Sequence, residues 1–176
     1  MRRVSSIRSV AFMVSLVGDG TNMNLQVLKK KRHTPKPGDV FAMRLPNMKY
    51  LFGRVVNANA NPLGVGGAIL IYVYQMMLET MEPPSDLSAD RLLLPPMMTN
   101  RLPWSRGYFA HLENRPLVDS DLLDQHCFKS SSGKYFDEYR NPLPGPTEPV
   151  GEFGLHSYRT IDDAISKALG FPLAPD

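Results

Sequence analysis

Apolar and polar positions alternate most cleanly between Val40 and Leu45, where Phe41, Met43 and Leu45 share one face of an expected strand. Pro35, Pro37 and Gly38 stop any helix ahead of it. Pro46-Asn47-Met48-Lys49 turns the chain into a returning strand that starts at Tyr50. A two-residue loop at Asn47-Met48 places Leu45 opposite Tyr50, and so does a four-residue loop over Pro46–Lys49. Both registers pair Met43 with Phe52, Phe41 with Arg54, Ala42 with Gly53 and Val40 with Val55. Phe41, Met43, Leu45, Tyr50 and Phe52 then form one packed face, with Arg54 beside Phe41 and Gly53 at a close approach or bend. Asn-Met is a weak hairpin turn, because Met resists positive φ.

The next element is apolar on both faces. Gly66–Gln75 reads as a central strand covered on both sides, with a helical turn over "QMMLETM" to close it. Pro83-Pro84 opens a loop to about Asp90. "DRLLLPPMM" reads as a short strand and a corner, and Trp104–Glu113 as a further strand. "HCFKSSSGKYFDEY" carries a hairpin signal, with Ser130, Ser131 and Ser132 as turn residues. Pro142 to Pro149 is a loop, and "GEFGLHSYR" a last strand. A helix follows. Thr160 is its N-cap, Ile161, Ala164, Ile165, Ala168 and Leu169 form its apolar stripe, and Gly170 ends it. The expected fold is mainly β (α+β): a strongly bent antiparallel sheet or small open barrel with one C-terminal helix.

Composition sharpens this picture in two places. At 176 residues and 43% hydrophobic, the chain can bury one domain's core. We divide it into an N-terminal extension, residues 1–35, expected to be flexible and holding an alternative start at Met23, and a single β-rich domain, residues 36–176. Arg2, Arg3 and Arg8 before "VAFMVSLVG" imitate an export signal, but no A-x-A-like site follows. One cysteine and no apolar run of roughly 18 residues point to a cytoplasmic protein rather than a membrane one. The net charge is +3. Without Lys29-Lys30-Lys31-Arg32, the chain from Met23 onward has 13 basic against 16 acidic residues. The body is therefore mildly acidic, and the pI of about 9.0 owes much to one tract. That tract reads as a solvated arm, and nucleic acid is not the expected partner.

Catalytic signals are faint. "PLGVGGA" has no phosphate-loop spacing. The best metal-like set is Asp124, His126 and Cys127, with His156 or His111 joining from elsewhere. A divalent ion there would activate water for hydrolysis. The plainer reading is an acidic turn entering a strand. Cys127 beside His126 is badly placed for Cys–His work, since strand neighbours face opposite ways. Trp104, Tyr108, Phe109, Tyr135, Phe136 and Tyr139 are explained mostly by core packing. Arg54 reads either as an edge arginine pairing with a carboxylate or as a charged group held for a partner or anion.

"KPGDVFAMRLPNMKYLFGRVV", Lys36 to Val56, resembles the opening signature of the Immunity protein 26 family of bacterial polymorphic-toxin systems. The matching positions are Pro37, Gly38, Asp39, Phe41, Tyr50, Phe52, Gly53, Arg54 and Val55. "NRLPWSRGYF" and "GKYFDEY" fit its looser downstream pattern, and the resemblance extends to about Leu169. Asn47-Met48 departs from the family's Asp-Gly-like turn. The resemblance implies a mostly β fold and a protein that binds and neutralises a cognate toxin, with no cofactor. Partner contacts are expected at Arg54, Trp104, Tyr108, Asp119, Asp121, Asp124 and Tyr135. The family also carries a phosphotriesterase label. Its alternative implication is a metal-dependent hydrolase of phosphotriesters using Asp124, His126, Cys127 and His156.

Overall fold

The computed structural model describes residues 22–176; the arginine-led segment read as an export-like signal lies outside them. Among the described residues the fold is mainly β, with ten strands in two mixed sheets and no closed barrel. The larger sheet uses β1 (Asp39–Arg44), β2 (Tyr50–Ala60), β3 (Ala68–Leu78), β4 (Met97–Thr99), β5 (Ala110–Asn114) and β10 (Leu155–His156). Their order is β10-β4-β3-β2-β1-β5, antiparallel except where β10 meets β4. The smaller sheet holds β6 (Cys127–Lys129), β7 (Tyr135–Phe136), β8 (Pro142–Leu143) and β9 (Val150–Glu152), ordered β8-β7-β6-β9.

Alternation along β1 to β3 fills both faces of the larger sheet. Phe41, Met43, Leu51, Val55, Ile69, Ile71 and Val73 face one core. Trp104, Tyr108 and Phe109 close it, together with Ile161 and Ile165 of α2 (Tyr158–Leu169). Val40, Ala42, Phe52, Leu70, Tyr72 and Tyr74 face the other, closed by Phe128 of β6 and by Leu87. The seven residues Ala68–Tyr74 are all buried, as expected for a strand covered on both sides.

The hairpin register differs from expectation by one residue. Met43 pairs with Leu51, Ala42 with Phe52, Phe41 with Gly53 and Val40 with Arg54. The loop is three residues, Pro46-Asn47-Met48, closed by Leu45 N–H on the Lys49 carbonyl at 2.9 Å. Met48 takes φ 69°, the left-handed conformation that three-residue hairpin loops use and that was expected to be resisted. The slip moves Phe52, Tyr50 and Arg54 to the face away from Phe41. Gly53 remains a close approach: a Cβ there would collide with the Phe41 ring.

Other elements also shift. β3 continues as a strand through Gln75–Leu78, across a register shift between the Val73 and Met77 pairs, rather than ending in a helical turn, because Leu78 pairs with Tyr50. Leu102–Ser105 forms a short helix, α1, so Trp104 enters the core from a helix and strand β5 begins only at Ala110. The proline-rich loop contains β8, and "GEFGLHSYR" splits into β9 and β10 in different sheets. Ser157, not Thr160, caps α2: its Oγ accepts the Thr160 N–H at 3.1 Å. Gly170 ends it at φ 75°, as read from sequence.

Residues ahead of Lys36 pack on the body. Leu25 is buried, and its N–H and that of Asn24 donate to Asp162 of α2 at 2.7 and 3.0 Å. Leu28 N–H donates to the Gly107 carbonyl at 2.9 Å. This strap crosses the first core before the chain enters β1.

Candidate functional site

Two polar clusters flank the β1–β2 hairpin. The inner one starts at Arg54, only 3% exposed on β2, between β1 and β3. Its Nη1 lies 3.1 Å from Asp121 Oδ2, and its Nη2 donates to the Arg115 and Pro116 carbonyls at 2.8 and 3.2 Å. Asp121 Oδ2 also accepts the Val118 N–H at 3.0 Å, inside a single turn over Asp119–Asp121. The fork therefore binds the chain leaving β5 onto the hairpin.

Next to it, Tyr72 O–H donates to His126 Nε2 at 2.6 Å, and His126 Nδ1–H donates to Glu138 Oε1 at 2.9 Å. Leu123 N–H donates to the Tyr72 oxygen at 3.0 Å. Burial pushes the Tyr72 hydroxyl up to about 12, outweighing that Leu123 bond, so it keeps its proton at neutral pH. Both ring nitrogens of His126 are occupied, which leaves no lone pair for an ion.

The outer cluster centres on Asp39, 2% exposed at the start of β1. Its Oδ1 accepts Asn114 Nδ2 at 2.8 Å, and its Oδ2 accepts the Lys36 N–H at 2.8 Å. His33 Nε2 lies 2.7 Å from the same Oδ2, and His111 Nδ1 lies 3.9 Å from it. The two imidazoles stack, with centroids 4.1 Å apart. Burial pushes Asp39 up, but bonds from Asn114, Lys36 and His33 outweigh it and hold the carboxyl below its usual range. Burial, and then the His33 ring, push His111 down, so its imidazole is neutral near pH 7. A cavity of about 40 Å³ lies against both rings, walled also by Lys29, Lys31, Trp104 and Phe109.

The residues singled out from sequence scatter. Asp124 is exposed, Cys127 is buried with Sγ 3.9 Å from the Gly145 carbonyl, and His156 Nε2 lies 3.2 Å from the Glu152 carbonyl. Those three and His126 do not form a ligand set: among the described residues, the one such group is His33, Asp39 and His111. Trp104 and Tyr108, 1% and 4% exposed, belong to the core, and Tyr108 stacks on Tyr158. Arg54 and Asp121 hold each other, while Asp119 is exposed and Tyr135 half-buried. Arg54 does pair with a carboxylate, but neither at an edge nor beside Phe41. His33 was not singled out from sequence. Its only local sign is its position between the basic tract and the Pro37-Gly38-Asp39 turn.

The signature residues now have physical roles. Gly38 sits at φ 91°, and a Cβ there would lie 2.5 Å from the Arg115 carbonyl oxygen. Its carbonyl accepts the Arg115 N–H at 2.9 Å. Gly38, Asp39 and Arg54 each grip residues 114–121, so the motif locks hairpin, β5 and the following turn together. The family model for Immunity protein 26 matches residues 36–137, more than half the chain, starting at this motif. The chain belongs to the Immunity protein 26 family. The match spans β1 to β7 and leaves out the strap with His33, Glu138 and α2. No curated protein and no solved structure matches the chain. Among the described residues, no helix is long and apolar enough to cross a membrane.

Proposed function

We propose that this immunity-type protein neutralises a toxin by binding it. The observation that carries this reading is the family match over residues 36–137. The inner cluster supports it: Arg54 pairs with Asp121 and two backbone carbonyls, and Tyr72, His126 and Glu138 pair in a chain, as in a scaffold. Of the expected aromatic contacts, buried Trp104 and Tyr108 offer no area to a partner, while half-buried Tyr135 does. The exposed acidic positions Asp119, on the turn that Arg54 fixes, and Asp124, three residues beyond it, remain. Such a patch suits a basic toxin surface and speeds association more than it deepens affinity.

Co-expression with the product of the adjacent gene tests this. Rescue of growth together with a co-purifying complex supports the reading. A neighbouring product that is harmless, or that does not bind, removes its basis. Within a complex, replacing Asp119 and Asp124 with lysine should slow association and weaken its salt dependence.

A further inference from the structure

We propose that His33, Asp39 and His111 form a divalent-metal site, best suited to Zn²⁺, that staples the strap to the sheet. One ligand atom from each residue lies within 4.8 Å of the others. Two imidazoles and a carboxylate are a donor set that zinc accepts, with arms of about 2.0–2.2 Å and therefore tetrahedral edges of about 3.4 Å. The separations of 2.7 Å and 3.9 Å from Asp39 Oδ2 straddle that edge, so shifts well under an ångström bring these two pairs to it, and the two imidazole ligand atoms lie within 4.8 Å of each other.

Three further observations fit. Asn114 Nδ2 and the Lys36 N–H hold the Asp39 carboxylate in place, as outer partners of a metal ligand do. Among the described residues, His111 Nδ1 is enclosed and has no hydrogen-bond partner, an arrangement that a bound ion would satisfy. The adjoining cavity of about 40 Å³ can hold a water for the fourth position, which needs only about 10–15 Å³. The stacked rings lie 20° from parallel, so one must turn about its Cβ–Cγ bond to aim at a shared ion. At 17% and 24% side-chain exposure they have room to do so. Lys29 and Lys31 oppose a dication, but both are exposed and screened by solvent.

The three ligands come from the strap, β1 and β5. An ion there would hold the basic tract Lys29–Arg32 against the sheet. This does not depend on the toxin reading.

Trp104 is the single tryptophan in the chain and shares the cavity with both histidines, so its fluorescence reports on this site. Titration of the purified full chain with Zn²⁺ should change that emission with one ion bound per chain. Trypsin cleavage within Lys29–Arg32 should slow in parallel. His33→Gln and His111→Gln should each weaken binding by about ten-fold or more, since even the outer partners of a metal ligand matter on that scale. Near-UV circular dichroism checks folding, and His33→Gln decides alone if His111→Gln misfolds. No emission change and no retained ion, or equal Zn²⁺ affinity in His33→Gln, overturns the proposal.

Discussion

Arg54 and Asp39 stand on adjacent strands of one hairpin, both almost wholly buried, in opposite kinds of environment. Arg54 reaches a carboxylate and two carbonyls, and the neighbouring His126 has a partner on each nitrogen. Around Asp39 the carboxylate is satisfied but its surroundings are not. Among the described residues, His111 Nδ1 has no hydrogen-bond partner, both rings are partly exposed, and a small cavity lies beside them. The inner network rigidifies, because its members depend on one another, although Arg54 Nε has no hydrogen-bond partner among the described residues. A cluster with spare donor atoms and solvent access can take up something further.

Substitutions on each side would break or sharpen this contrast. Arg54→Ala should cost the most, about 3 kcal/mol, because it strands the Asp121 carboxylate and two carbonyls. Urea denaturation measures it. A variant that keeps its stability but loses partner binding would overturn the scaffold reading of this arginine. His126→Phe should cost about 1–3 kcal/mol by the same assay, since Tyr72 and Glu138 both lose a buried partner.

A pH series separates a third buried group from both clusters. Burial raises the Asp162 carboxyl despite the N–H bonds from Asn24 and Leu25. A carboxyl raised on folding contributes stability that is present below its unfolded value of 3.8 and lost as pH rises through the folded value. Asp162→Asn should remove that slope from a plot of urea midpoint against pH. An unchanged slope would assign it elsewhere. The smallest effect belongs to the outer cluster: His33→Gln should change stability by about 1 kcal/mol or less in chelated buffer, as for other partly exposed pairs. A loss as large as that of Arg54→Ala would show the outer cluster to be structural too.

Much of the fold was legible because hydrophobic periodicity is local. The hairpin, the double-sided strand β3 and the glycine end of α2 could each be read from a dozen residues, and so could its stripe apart from Ala168, which is exposed, and Asp162 and Ser166, which are buried. The register could not be read, since a three-residue loop and the two loops considered differ by a single residue. That residue turns every side chain over. Trp104 went astray for a related reason: a four-residue helix is too short to show a period.

By itself, the sequence determined the family, the mainly β class and the motif from Pro37 to Val55. Those depend on residue types at short spacing. Only the tertiary structure decided that Arg54 faces Asp121, 67 positions away, rather than Phe41, and that His33, Asp39 and His111 meet at all. The strap, β1 and β5 are brought together by strand pairing and by burial of Leu25 and Trp104. No local pattern records such long-range contacts, because the free energy that forms them is shared across the whole core.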